Sequence, residues 1–505
     1  MENNYDVIVV GAGNGGLTAA ATTAKAGLRT LLLEKHNIPG GCASSFRRGR
    51  FEFEPSLHEL CSVGSKENPY EIYNLFEELG AKVDWHYEHN LFRVIAKGKN
   101  GYDVTLKGSV DGLCNCLDEI EPGSGPKVKA FLNLKSKVDS AINYIYAKKG
   151  HPNKLVMILK HADFMRVASH SAEEVMTALE IPQKIQNILN TYWCYLGIPT
   201  DELSGMHFLN LLYGYVKFGA AMPHYRSHEL SLSIADVITK NGGEIRYNSK
   251  VTEFLYNEEG RCIGVIANGQ KLYAKEIISN IIPHNVYNMS SEHVVSERSL
   301  KLANARGMGM SFVTMYIGLD CTPQELGISD YTIFIQDDPT PRRQYETMND
   351  GGFYIVNCLN NVVKDSSPEG SCTLFVTIPM HADNLPADLQ PCDYKKYKNN
   401  IAEKFITDME KTLGISVSEH IEEISIATPA TFARYLDTPG GTAYGYSLNR
   451  WDNLMSRISA EKDDFQIQGL TFCGGHHTRG DGFSSAYNTG SAAGKKIVNK
   501  LKGGM

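Results

Sequence analysis

The chain has 505 residues and carries 50 Lys and Arg against 57 Asp and Glu, a formal net charge of -7. At the usual domain size this length suggests about three domains, and no disulfide or metal staple is needed to enclose a core. Hydrophobic residues at 42% and charged residues at 21% exclude wholesale disorder. The mildly acidic balance excludes a broad nucleic-acid footprint, and 11 scattered cysteines, odd in number, suit a reduced, cytoplasmic chain.

The first residues show no basic leader or small-residue cleavage site, so no targeting segment is expected. Asp6 to Val10 is a short apolar, β-branched run, the pattern of a fully buried strand. Gly11-Ala12-Gly13-Asn14-Gly15-Gly16 follows, then Leu17 to Ala26 as a helix closed by Gly27. Thr30 to Leu33 makes a second buried strand that ends in Glu34 and Lys35. The strand, glycine loop, helix and acid together form a dinucleotide-binding fingerprint. Gly11 permits the tight turn, Gly13 leaves room for a pyrophosphate and Gly16 lets helix and strand close up. The helix N-terminus offers free N–H groups to phosphates. Glu34 accepts from ribose hydroxyls and repels a 2′-phosphate, so FAD or NAD is favoured over NADP.

Gly40-Gly41 predicts a turn, followed by Arg47, Arg48 and Arg50, which either pair with the pyrophosphate or form a solvated basic turn. From about Tyr70 to His228 the periodicity is helical, with Leu134, Val138, Ile142 and Ile145 on one face. Phe208 to Pro223 is the nearest approach to a membrane span. Asn210, Gly214 and Lys217 interrupt it, and it reads as a buried helix or pocket wall, with a membrane-dipping element as the alternative. Strands return at Glu244 to Tyr247 and Val251 to Leu255, and Asn268-Gly269 predicts a two-residue hairpin turn. Further on, strands are predicted at Phe312 to Ile317 and Thr373 to Ile378, and a helix at Tyr394 to Leu413. No linker or repeat separates these parts, so the domains are expected to interleave.

Near the C-terminus Leu470 to Cys473 enters a second glycine turn at Gly474-Gly475. His476, His477, Arg479, Asp481, Gly482 and Phe483 then lead into a helix over 485–501. This is a second helix N-terminus suited to negative charge. Lys495, Lys496, Lys500 and Lys502 read as a solvated helix end or a membrane-binding patch.

Together the opening loop with Glu34, the Gly40-Gly41 turn with Phe51-Glu52-Phe53-Glu54, the Gly242-Gly243 turn with Val251, and Gly474 to Gly494 resemble the phytoene desaturase, carotenoid isomerase and retinol saturase group of amine-oxidase-like FAD enzymes. The resemblance implies an α/β fold: a Rossmann-like FAD-binding domain of the glutathione-reductase type, interleaved with an α+β substrate domain. The FAD domain would take residues 1–72, 226–290 and 425–505, and the substrate domain, a mixed sheet with a helical cap, residues 73–225 and 291–424. It implies FAD as cofactor, with Val251 meeting the adenine by backbone contact and Gly474, Asp481 and Gly482 near the isoalloxazine. Asn14, Gly15, Lys35, Gly40, Gly41, Gly475 and Phe483 complete the expected cofactor set.

A flavin supplies hydride or electron chemistry while the protein positions it. The expected reaction is therefore desaturation, saturation or isomerisation of an apolar isoprenoid or acyl lipid. Acid/base help is expected from His476, His477, Arg479 and His58, with Glu59, His224, Tyr225 and His228 as further candidates. No metal is expected. Cys473 is either a flavin tether or a small buried residue. Gly307-Met308-Gly309 lacks an acid partner, so there is no second dinucleotide loop. Electrons then pass to or from an external partner such as a quinone, O2 or NAD(P)H. Peripheral membrane contact is a further expectation. An amine or amino-acid oxidase, and a non-enzymatic GDP-dissociation inhibitor, are the alternatives.

Overall fold

The computed structural model describes residues 5–503 except 57–58, 100, 149–150, 382–384, 387, 450, 453, 461–466 and 481. The first sheet has seven strands; five are parallel, in the order Leu470–Phe472, Gln270–Ser279, Tyr5–Val10, Thr30–Leu33 and Glu244–Arg246, and two more join antiparallel through Gln270–Ser279. Val10 pairs with both Leu33 and Ser279, and Ser279 with Phe472, so four strands end level. Ligands of open parallel sheets bind at that edge, where the strand order reverses.

The continuous run Val7-Ile8-Val9-Val10 is apolar because both faces of its strand are covered. Val7 and Val9 pack beneath the helices Asn14–Lys25 and Arg226–Lys240. Ile8 and Val10 pack beneath the antiparallel strands Val251–Tyr256 and Cys262–Ala267. The predicted hairpin forms at Asn268-Gly269, whose φ values of 48° and 74° are those of a primed turn. The C-terminal helix Phe483–Lys502 lies directly on Asn14–Lys25. A Cβ on Gly490 would come 2.1 Å from the Gly15 carbonyl oxygen. The two ends of the chain therefore form one structural unit.

The second sheet has seven strands, in the order Ile421–Ala427, Ser311–Leu319, Cys372–Met380, Phe353–Cys358, Thr332–Gln336, Asn90–Ala96 and Tyr102–Lys107. Only Thr332–Gln336 and Asn90–Ala96 pair in parallel. Its alternation is plain in Thr332–Gln336. Phe334 faces a helical layer that includes Ser124–Ala147 and Gly205–Phe218, and Ile333 and Ile335 face Tyr394–Leu413. The run 208–223, read as a buried helix or pocket wall, is helical to Phe218 and then forms the strand Ala221–Pro223. No helix among the described residues is long and apolar enough to cross a membrane.

Two elements cross the segment boundaries drawn from sequence at 73 and 424. The amphipathic helix Glu71–Leu79 buries Ile72, Leu75, Phe76 and Leu79 in the core of the first sheet. The strand Ile421–Ala427 pairs with Ser311–Leu319 in the second.

Candidate functional site

The helix Asn14–Lys25 starts at Gly13 with no side-chain cap and no acid in its first turn. Its leading N–H groups and its dipole are therefore available to an anion. Gly11 has φ +90°, and a Cβ on Gly16 would stand 1.9 Å from the Gly11 carbonyl oxygen. The glycine at 16 is thus required for helix and strand to approach, as the sequence motif predicts.

Gly13 and Gly15 have an additional reason to be glycine. A Cβ there would come 2.7 Å from Asn280 Nδ2 and 2.6 Å from Asn280 Oδ1, respectively, and a Cβ on Gly474 would lie 2.5 Å from the same oxygen. Asn280, at the end of the strand Gln270–Ser279, wedges the two glycine turns together. Sequence reasoning passed over it, since a lone Asn after a strand carries no motif.

Glu34 is buried, and its two carboxylate oxygens accept the Ala12 N–H at 2.6 Å and the His36 N–H at 2.9 Å. A carboxylate accepts about four hydrogen bonds, which leaves capacity for two ribose hydroxyls. Beside it Lys35 pairs with Asp437 at 3.6 Å, and Asn14 Oδ1 is buried with no hydrogen-bond partner among the described residues.

These groups line one end of a cleft of about 1050 Å³. Of the residues expected to hold cofactor, Gly11, Gly13, Asn14, Gly15, Glu34, Lys35, Gly40, Gly41, Val251, Gly475, Gly482 and Phe483 line it. Gly16 and Gly474 stand behind the wall as packing positions. Gly482 caps the C-terminal helix, again with no side-chain cap and no first-turn acid. Asp481 and His58 lie outside the described residues.

Arg47, Arg48 and Arg50 do not line the cleft. Arg50 makes a bidentate pair with Glu422, and Arg48 lies over the Phe46 ring. This is the solvated-turn alternative, drawn outward by a carboxylate 372 residues away in sequence. Arg50→Ala is accordingly expected to leave the unfolding midpoint close to that of the wild type and the cofactor content unchanged. Denaturant titration and absorbance would check both.

His476 lines the cleft, while His477 does not. Both rings are held far below the ordinary histidine value. His476 falls to about 3 and His477 to about 4, by burial first and then by neighbouring positive charge that includes Arg457 and Arg306. His476 is therefore neutral at physiological pH, with Nε2 unpartnered among the described residues. It suits hydrogen bonding to a ligand better than proton donation. Arg457 is held in turn by Asp452 at 2.9 Å, with both side chains fully buried. Arg479 reaches the cleft but gives its guanidinium to Glu71 at 2.7 Å. Cys473 is fully buried and does not line the cleft, so it reads as a packing residue rather than a flavin tether. His224 and His228 also lie off the cleft. His224 joins Asp84 and His86 in a group able to offer a cation three ligands, as do Asp320, Cys321 and His420 elsewhere.

Away from the glycine turns the cleft is walled by Ile142, Leu196, Met206, Leu211, Tyr215, Phe312 and Phe432, with the polar Lys135, Asp139, Asn143, His207 and Asn210 among them. Glu59 stands in this wall, 5% exposed, and its Oε2 accepts from the Thr332 hydroxyl at 3.1 Å. Burial pushes Glu59 up to about 7, and burial together with the Glu59 charge also raises Glu88 well above the ordinary carboxyl value. Oε1 of each carboxyl makes no hydrogen bond among the described residues. Two carboxyls in apolar surroundings cannot both ionise at moderate pH, so this pair stores a proton at the cleft wall. Glu59 was a candidate from sequence. Its partner, brought in by the approach to the strand Asn90–Ala96, was not.

The description "NAD(P)-binding Rossmann-like domain" fits residues 9–79. Over 493 residues the chain is 24% identical to all-trans-retinol 13,14-reductase of Rattus norvegicus, covering 88% of this chain and 78% of that one. It is 23% identical to the chloroplastic prolycopene isomerase of Daucus carota, covering 87% and 72%. It is also 23% identical to 4,4'-diapolycopene oxygenase of a Methylomonas species, covering 99% of each. Among solved structures, an oxidoreductase from Methanosarcina mazei matches with a TM-score of 0.66 at 15% identity, covering 97% of this chain and 99% of that one. A putrescine oxidase matches with a TM-score of 0.64 at 15% identity, covering 98% and 99%. The fold is thus the mixed α/β, Rossmann-like one expected, and the resemblance read from the motifs holds over most of the chain.

Proposed function

We propose that the chain is an FAD-dependent enzyme acting on carbon–carbon double bonds of a polyene lipid. The observation that carries this reading is one continuous cleft, with a dinucleotide site at one end and an aromatic chamber at the other. Three relatives named for a retinol, prolycopene and diapolycopene support the polyene. The residues fit the cofactor. Two uncapped helix N-termini, at Gly13 and Gly482, suit its negative charge, and Glu34 keeps acceptor capacity for a ribose.

Bound there, FAD supplies hydride or electron transfer. Gly13, Asn14 and Gly15 hold the pyrophosphate and Glu34 the ribose. The aromatic chamber orients the polyene and excludes water, while Glu59 holds a proton at its carboxyl for exchange with a polyene carbon. Electrons come from or go to an external quinone, O2 or NAD(P)H.

The test is absorbance of the purified protein after reconstitution with FAD, then anaerobic incubation with all-trans-retinol or prolycopene, once with a reductant and once with a quinone as electron acceptor. Product mass reports a gain of hydrogens in the first or a loss in the second, and chromatographic retention with the absorbance spectrum reports an isomerisation at unchanged mass. Protein that stays colourless with added FAD sinks the reading. Peroxide release with primary amines, and no change in the polyenes, would replace it with an amine oxidase.

A further inference from the structure

Two short strands, Trp85–Tyr87 and Ala221–Pro223, pair antiparallel apart from both large sheets. They lie on crossovers of the chain. The first leaves the helix Glu71–Leu79 on the first sheet and leads to Asn90–Ala96 in the second. The other leaves Gly205–Phe218 on the second sheet and leads back to Arg226–Lys240 on the first. The register sets Trp85 against Pro223, so the flanking Asp84 and His224 stand opposite each other. The His224 N–H donates to the Asp84 carbonyl at 2.8 Å. His86, two residues after Asp84, falls on the same face. One face of this ribbon thus carries a carboxylate and two imidazoles.

The three side chains converge. His86 Nε2 and His224 Nδ1 are 3.0 Å apart, and Asp84 Oδ2 is 3.7 Å from each. One N–H···N hydrogen bond explains the shortest edge, but 3.7 Å is too long for a hydrogen bond to either ring. This triangle contains a point about 2.0 Å from all three atoms, the bond length of zinc to imidazole nitrogen or carboxylate oxygen. On its outer side, His224 Nε2 faces Asp365 Oδ2 at 3.3 Å. A carboxylate on the far nitrogen of a metal-bound imidazole orients the ring and raises its basicity. The backbone is fixed as well, because Glu229 accepts the Asp84 and Tyr225 N–H groups, both at 2.9 Å. Neither Asp84 nor Asp365 pairs with a lysine or arginine among the described residues.

We propose that Asp84, His86 and His224 bind one divalent transition-metal ion, zinc by donor type, and that the ion staples the two crossovers together. Two imidazoles and one carboxylate suit zinc, whereas magnesium and calcium take oxygen ligands. Water completes the tetrahedron, since the Asp84 side chain is 68% exposed and the two rings are only part-buried. None of the three residues lines the cleft, so the site is independent of the flavin and polyene reading. No motif signals it, because His86 and His224 are 138 residues apart, which is why the sequence predicts no metal.

Zinc titration of the purified chain after stripping with EDTA tests it, by calorimetry and by melting temperature. One zinc per chain is expected, with a melting temperature that rises with zinc concentration, because an ion bound only by the native state stabilises it. Asp84→Asn and His86→Gln should each abolish the uptake and the rise. Asp365→Asn should weaken the affinity about tenfold, the scale of an orienting partner. In EDTA all three variants should melt with the wild type, which shows that they fold. His420→Gln, in the group formed by Asp320, Cys321 and His420, should leave the titration unchanged. The proposal is overturned if the wild type takes up no zinc, if zinc leaves its melting temperature unchanged, or if Asp84→Asn and His86→Gln titrate as the wild type does. Loss of uptake in His420→Gln alone would give the ion to that other group and overturn it equally.

Discussion

Gly16→Ala is expected to yield protein that retains no flavin. The new Cβ would stand 1.9 Å from the Gly11 carbonyl oxygen, whereas carbon–oxygen contacts ordinarily begin at about 3.3 Å. The obstacle is backbone, so no rotamer relieves it, and the helix must move by about 1 Å or more. That displacement carries with it the N–H groups meant for the pyrophosphate. It also disturbs the contact where Gly490 meets the Gly15 carbonyl. Overpacking of this kind costs about 1–3 kcal/mol and sometimes more, and the loss of aligned donors falls on the cofactor in addition. Gly27→Ala is the control. It has a positive φ of 75° but no neighbour within 4 Å, so about 1 kcal/mol of strain and full flavin content are expected. The flavin-to-protein absorbance ratio decides. A yellow Gly16→Ala protein with the wild-type ratio would remove the loop from the account.

Glu59→Gln is expected to lower polyene turnover by about 100-fold or more, the scale of a positioned proton donor, and to change the pH dependence of stability. Glu59 is raised from an unfolded value near 4.5 to about 7, so the native state holds its proton more tightly than the unfolded chain. The stability this supplies is fully present below pH 4.5 and is lost as pH rises through 7. A raised carboxyl of this size corresponds to about 3 kcal/mol, an upper bound for a shared proton. Glu54, also pushed up to about 7 by burial, contributes in the same direction. The depressed histidines act oppositely, losing stability as pH falls from 6.5 toward 4. The difference between wild type and Glu59→Gln isolates the carboxyl pair: melting temperatures at pH 5 and pH 8 should separate more in the wild type. Equal separations, with turnover unchanged, would leave the pair a packing feature.

The outcome for the basic turn shows why part of the site escaped sequence reading. Arg47, Arg48 and Arg50 are adjacent to the glycine turn in sequence, and adjacency predicts nothing about direction. Glu422 drew Arg50 away. The acidic pair has the same character, because burial and the nearness of Glu88, not its local sequence, make Glu59 a proton store. Asn280 gains its role only where two glycine turns from opposite ends of the chain meet.

What the sequence determined by itself is the dinucleotide end of the cleft. Asp6 to Val10, the glycine loop and Glu34 form a local unit whose turns, caps and strand period are set by residues a few positions apart. The hairpin at Asn268-Gly269 and the helix Tyr394–Leu413 were legible for the same reason. The tertiary structure alone decided the rest. It carried the helix Glu71–Leu79 onto the first sheet and the strand Ile421–Ala427 into the second, across the boundaries drawn from sequence. It turned Leu155, Ile158 and Leu159, an apolar run like any core segment, outward to solvent. Apolar periodicity reports that a side chain avoids water but not what will cover it, and that answer depends on contacts hundreds of residues apart.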